Sequence, residues 1–82
     1  MHCTYNPKGV CAIQIDFELN DGIVSGVQFM GGCNGNLKAI GRLVEGKSAI
    51  EVADILEGNT CGGKSTSCAD QLAKALRQAV AQ

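Results

Sequence analysis

The chain has 82 residues, with seven Lys and Arg against eight Asp and Glu, for a net charge of -1. No run of like charge marks a polyanion partner, and the only aromatics, Tyr5, Phe17 and Phe29, are not interleaved with basic residues, which argues against a nucleic-acid surface. At 45% hydrophobic residues the sequence can fold as one domain over 1–82, yet a chain this small buries only about 60% of its unfolded surface and gains much from a staple.

Met1 to Val10 contains His2, Asn6, Pro7 and Lys8 where a secretory leader needs an apolar stretch, and no run approaches the roughly 20 apolar residues that span a bilayer. The expectation is a cytoplasmic protein with no membrane partner. Met1 to Tyr5 has room for a short strand. Ile13, Ile15, Phe17 and Leu19 alternate with Gln14, Asp16 and Glu18, a period of two that turns one face to a core. Asn20-Asp21-Gly22 supplies a turn, and Ile23 to Met30 resumes strand composition, so the two segments form a β-hairpin with Gly26 as a candidate bulge.

A glycine-rich loop, 31–35, precedes a helix capped by Asn36 with Leu37, Ile40, Leu43 and Val44 at helical spacing and Gly46 as its stop. Ser48-Ala49-Ile50-Glu51 reads as a capping box that opens a second helix with Ile50, Ala53 and Leu56 on one face and Gly58 at its end. After a polar loop, Asn59 to Ser67, the run Ser67-Cys68-Ala69-Asp70 resembles a capping box, and a third helix runs from about Cys68 to Ala81 with Ala69, Leu72, Ala73, Leu76 and Val80 on one face. The expected fold is α+β, in the order β-β-α-α-α: an antiparallel hairpin or small sheet packed against helices.

Five cysteines in a cytoplasmic chain point to metal or redox chemistry, because structural disulfides are rare where thiols are kept reduced. The odd count leaves one outside any set of four, and Cys3 near the N-terminus is that one. Cys11 precedes the first strand of the hairpin and Cys33 follows the second, so antiparallel pairing puts them at one edge. Cys61 and Cys68 bracket the loop before the third helix, and the first turn of that helix would stabilise a Cys68 thiolate through free N–H groups and the helix dipole. Four thiolates normally hold a zinc ion or an iron–sulfur cluster, and zinc suits a structural site. Paired C-x₂-C knuckles are missing, and a reversible Cys61–Cys68 disulfide is the alternative use of the same residues.

Tyr5 to Cys11, the loop Gly31-Gly32-Cys33-Asn34-Gly35-Asn36 and the stretch Cys61 to Leu72 together resemble the TSCPD-domain family, with Thr66-Ser67-Cys68-Ala69-Asp70 carrying alanine where the family has proline. That resemblance implies kinship with the C-terminal module of cobalamin-dependent ribonucleotide reductases. A chain this short lacks room for that reaction's catalytic barrel, so an accessory role is implied, with a reductase or a metal-cluster acceptor as partner protein. The order of hairpin, glycine–cysteine loop, helix and a cysteine that opens a helix is also similar to the U-type iron–sulfur scaffold proteins, which suggests cluster assembly as an alternative. In those proteins an aspartate and a histidine stand where this chain has Ile13 and Ser67, and Cys61 is the candidate replacement ligand.

Two weaker signals remain. Gly58 to Ser65 satisfies the phosphate-loop pattern G-x-x-x-x-G-K-[ST], but it follows a helix where that motif needs a strand. His2, the only histidine, is expected to be a disordered terminal residue, with completion of a site with Cys3 as the lesser alternative. No Ser/His/Asp or paired-carboxylate set suggests hydrolysis.

Overall fold

The computed structural model describes residues 1–7, 12–31, 34–60 and 66–81, and of Ala12, Ile13 and Asn34 only the backbone. Three strands, β1 (His2–Tyr5), β2 (Ala12–Asn20) and β3 (Ile23–Gly31), form an antiparallel sheet in the order β1-β2-β3. Three helices follow: α1 (Asn34–Val44), α2 (Ala49–Leu56) and α3 (Cys68–Val80). The fold is α+β, as the pattern predicts, with β1 extending the hairpin to a full sheet: β-β-β-α-α-α.

The hairpin turn places Asp21 and Gly22 at φ +52° and +78°, the paired positive angles of a type I′ turn, which suit the twist of the flanking strands. Alternation along β2 puts Ile15, Phe17 and Leu19 in the core and leaves Gln14, Asp16 and Glu18 on the outer face. The side chain of Ile13 lies outside the described residues. The pairing slips between Asp16 and Glu18, so that Gly26 and Val27 oppose Phe17 alone, and Gly26 sits at φ +60°. This is the bulge that its glycine marks, and its N–H donates to Glu45 Oε1 at 2.8 Å.

The segment after α1 folds back along β3. Gly46 N–H donates to Val24 O at 2.8 Å, Val24 N–H to Lys47 O at 2.9 Å, and Ala49 N–H to Gly22 O at 2.8 Å. These bonds occupy part of an edge that would otherwise invite pairing with another chain. Ser48 then caps α2 by accepting from the Glu51 N–H.

Helices α2 and α3 pack on each other, and together with α1, which lies along β3, they close the inner face of the sheet. Phe17, Ile15, Leu72, Leu76 and Val24 are the largest fully buried side chains, and each is worth about 1.5–3 kcal/mol of transfer free energy. The helical stripes differ in detail from the periodicity. Leu43, Ile50 and Val80 are exposed at 70%, 43% and 39%, while Ala49, Val52, Ala75 and Ala79 are buried instead. Small alanines let α3 lie close to the sheet, and a face wider than one stripe is covered because α2 packs on its flank. Arg77 of α3 reaches Asp54 at 2.7 Å and Glu57 at 3.0 Å across that flank. Among the described residues no helix is long and apolar enough to cross a membrane.

Helix α1 meets β3 at Gly41, where a Cβ would stand 2.9 Å from the Val27 carbonyl oxygen. Alanine ordinarily stabilises a helix interior by about 1 kcal/mol relative to glycine. Here the contact is with backbone, so we predict that Gly41→Ala destabilises the fold by about 1–2 kcal/mol. Gly35→Ala, in the same helix with nothing within 4 Å, should be neutral or stabilising. Urea denaturation of both variants checks the pair, and a stabilised Gly41→Ala would contradict the close approach.

Candidate functional site

Of the four cysteines that the spacing groups together, Cys11, Cys33 and Cys61 lie outside the described residues, and Cys68 lies within them. Cys68 is the first residue of α3 and is half-buried. Its position is set by Ser67, the N-cap, whose backbone is extended at φ -149° and ψ 172°. Ser67 Oγ accepts the Asp70 N–H at 3.1 Å and donates to the Asn59 carbonyl. Serine is favoured here because its oxygen satisfies an N–H that has no partner in the first turn.

Asp70 does more than the acid of a capping box. Its carboxylate is 3% exposed and is enclosed by donors from three segments. Gly58 N–H donates to Oδ1 at 2.7 Å, the Thr66 hydroxyl donates to Oδ2, and Lys74 Nζ lies 3.3 Å from Oδ2. Gln71 Nε2 donates to Thr66 Oγ1 at 3.0 Å, and Tyr5 OH donates to Gln71 Oε1 at 3.4 Å. The Thr66 hydroxyl and the Gly58 N–H, followed by Lys74, hold the Asp70 carboxyl below its ordinary value, although burial pushes the other way.

Thr66, Ser67 and Asp70 of the segment Thr66 to Asp70 thus tie the end of α2 to the start of α3. Gly58 and Asn59 lie against Thr66, Ser67 and Asp70, so both ends of the stretch that contains Cys61 are held beside Cys68. The spacing of Ser67 and Asp70 signals the cap. The longer reach to Gly58 depends on how α2 meets α3, which no local pattern encodes.

The sheet orients the other described neighbours. Ala12, next to Cys11 in the chain, pairs with Gly31, two residues before Cys33. Tyr5 pairs with Ile15, and the Tyr5–Gln71 hydrogen bond brings the first turns of α3 to this level. At the other end of α3, Ala75 and Ala79 share a groove with Met1, Cys3 and Phe17. Helix α3 therefore runs from the Ala12–Gly31 end of the sheet toward the Leu19 end, with Cys68 at its start.

Cys3 stands apart. From β1 it pairs with Phe17 of β2 and is half-buried against the core, so this segment forms the short strand for which the sequence has room. His2 is on the opposite face, with Nδ1 3.2 Å from Glu18 Oε2 across the strands. Neighbouring residues of a strand point to opposite faces, so His2 does not join Cys3. Among the described residues no group of three or more His, Cys, Asp or Glu is arranged to hold a metal ion. In the phosphate-loop pattern, Gly58 follows α2 and gives its N–H to the Asp70 carboxylate, and a phosphate could not use that donor. Gly62 to Ser65 lie outside the described residues.

We predict that Asp70→Ala lowers stability by about 2–4 kcal/mol near neutral pH, because Gly58 N–H and Thr66 lose a charged acceptor. The folded-state carboxyl is lowered, so its contribution is complete above the unfolded value of about 4 and is lost as pH falls through the lower folded value. Denaturation from pH 7 to 2 should show the gap between wild type and Asp70→Ala narrowing below about pH 4. A gap that stays constant would contradict the ionised brace.

The sequence profile described as the TSCPD domain matches residues 3–80. No curated protein and no solved structure matches the chain.

Proposed function

This chain belongs to the TSCPD-domain family, and we propose that it is a metal-binding module in which Cys11, Cys33, Cys61 and Cys68 hold one zinc ion. The observation that supports this reading is the brace around Asp70. Gly58 and Asn59 on one side and Thr66 and Ser67 on the other are tied together at the first turn of α3. Ala12 and Gly31, the nearest described neighbours of Cys11 and Cys33, pair at the end of the sheet toward which that helix start is directed.

Four thiolates are a donor set that zinc takes in closed structural sites, and an iron–sulfur cluster would use the same four. Zinc bound there would supply folding free energy to a small core. The chain's own part is to hold Cys68 at the first residue of α3, with the Asp70 carboxylate braced within the same first turn. We assign the module an accessory role beside ribonucleotide-reductase-type enzymes in the cytoplasm. It is not a catalyst by itself, and its partner is another protein, a reductase or a metal-cluster acceptor.

Protein isolated without oxygen should carry roughly one zinc per chain, and removing it with a chelator should lower the melting temperature. Cys11→Ser, Cys33→Ser, Cys61→Ser and Cys68→Ser should each weaken zinc binding by at least about tenfold, and Cys3→Ser should not. Metal analysis with a competing chromophoric chelator measures both. Metal-free protein with a reversible Cys61–Cys68 disulfide would replace this reading with a thiol relay, and unchanged binding in any one of the four variants would remove that cysteine from the site.

A further inference from the structure

Between α1 and β3 lies an open groove of about 750 Å³. Leu37 is buried at its floor with Val27 and Phe29 half-buried beside it, and Met30 is 48% exposed at one end. Lys38 and Arg42 stand along its mouth, four residues apart on α1, which puts them about one turn and roughly 6 Å from each other. Neither has an ion-pair partner among the described residues. The one acid that lines the groove, Glu45, accepts the Gly26 N–H at 2.8 Å at the far end. An apolar trough thus lies beside two cations that no described acid neutralises.

We propose that this groove docks a short acidic segment of a partner protein. Apolar side chains of the segment would lie against Val27, Phe29 and Leu37, and two of its carboxylates, spaced one helical turn apart, would meet Lys38 and Arg42. The apolar contact supplies affinity, and the charge pairs set orientation and speed of encounter. The strand side of the groove, Gly26 to Met30, is about 13–17 Å long, which matches a short peptide better than an enclosed small molecule. The groove also leads to Met30 and Leu37, close in the chain to Gly31 and Asn34, so the bound segment would sit near the end of the sheet where we propose the thiolate site. Docking does not depend on whether those thiols hold zinc.

The test is a titration of the ¹⁵N-labelled full chain with an amphipathic peptide of about 14 residues, leucines on one face and glutamates four apart along its border, and with its Lys-for-Glu counterpart. The acidic peptide should shift the amides of Val27, Phe29, Leu37 and Lys38, and should bind more weakly as salt rises. In Lys38→Glu/Arg42→Glu its affinity should fall by at least about tenfold while the fold is unchanged, and the basic peptide should not bind the wild type. No binding of the acidic peptide, shifts elsewhere, equal binding of both peptides, or unchanged affinity in the double variant would overturn the proposal. So would occupation of the groove by decanoate in place of the peptide, which would mark a site for a small anionic amphiphile. The same shifts on raising protein concentration alone would make the occupant a second copy and would overturn it too.

Discussion

A carboxylate withdrawn from water must find donors enough to replace its hydration, and those donors are then fixed in place by it. Asp70 meets that demand with one N–H, one hydroxyl and one ammonium group, each from a different position along the chain. The consequence is mutual. Gly58 just past α2, Thr66 before α3 and Lys74 one turn beyond Asp70 are held around a single side chain, and the Ser67 cap completes the start of the helix. Remove the charge, and the junction between two helices, together with the direction in which α3 leaves it, loses its reference point.

That direction decides what the domain can do. Helix α3 begins near the Tyr5–Ile15 level of the sheet and ends near the Phe17–Leu19 level, so its first residue, Cys68, belongs to the end where β2 begins and β3 finishes. The helices cover one face of the sheet, and the outer face, with Gln14, Asp16, Glu18 and His2, is polar. Gly41 lets α1 approach the β3 backbone without a side chain between them, and the groove beside that contact is a product of the same approach. The covered core, the Cys68 end of α3 and the groove beside α1 thus all follow from how three helices meet one sheet.

The strands and the boundaries of α2 and α3 were legible in the sequence because each rests on local chemistry, whereas Asn36, expected as the cap of α1, lies inside that helix, which begins at Asn34. Alternation from Ile15 to Leu19 needs only a sheet with one buried face, Asp21-Gly22 needs only positive φ, and Ser48 and Ser67 need only an oxygen in front of a first turn. The helical faces were read less well. Leu43 and Ile50 have the spacing of core residues but point to solvent, because burial follows from which helix neighbours which, and no single-helix pattern contains that. The N-terminal strand was marginal for a similar reason: its four residues gain their bonds from β2. For the site, the sequence identified Cys68 at a helix start, and the family match over 3–80 agrees with the resemblance carried by the segment around it. What the sequence could not show is that Asp70 looks away from its own cap toward Gly58, since that bond spans 12 residues.

In the function we propose, Cys11, Cys33, Cys61 and Cys68 act as one donor set, anchored by the brace at the start of α3. X-ray absorption spectroscopy of the zinc-loaded full chain addresses the donors themselves. The expected first shell is about four sulfur atoms near 2.3 Å with no nitrogen or oxygen scatterer at about 2.0–2.1 Å. A shell with two or fewer sulfurs, or one completed by nitrogen or oxygen, would contradict it.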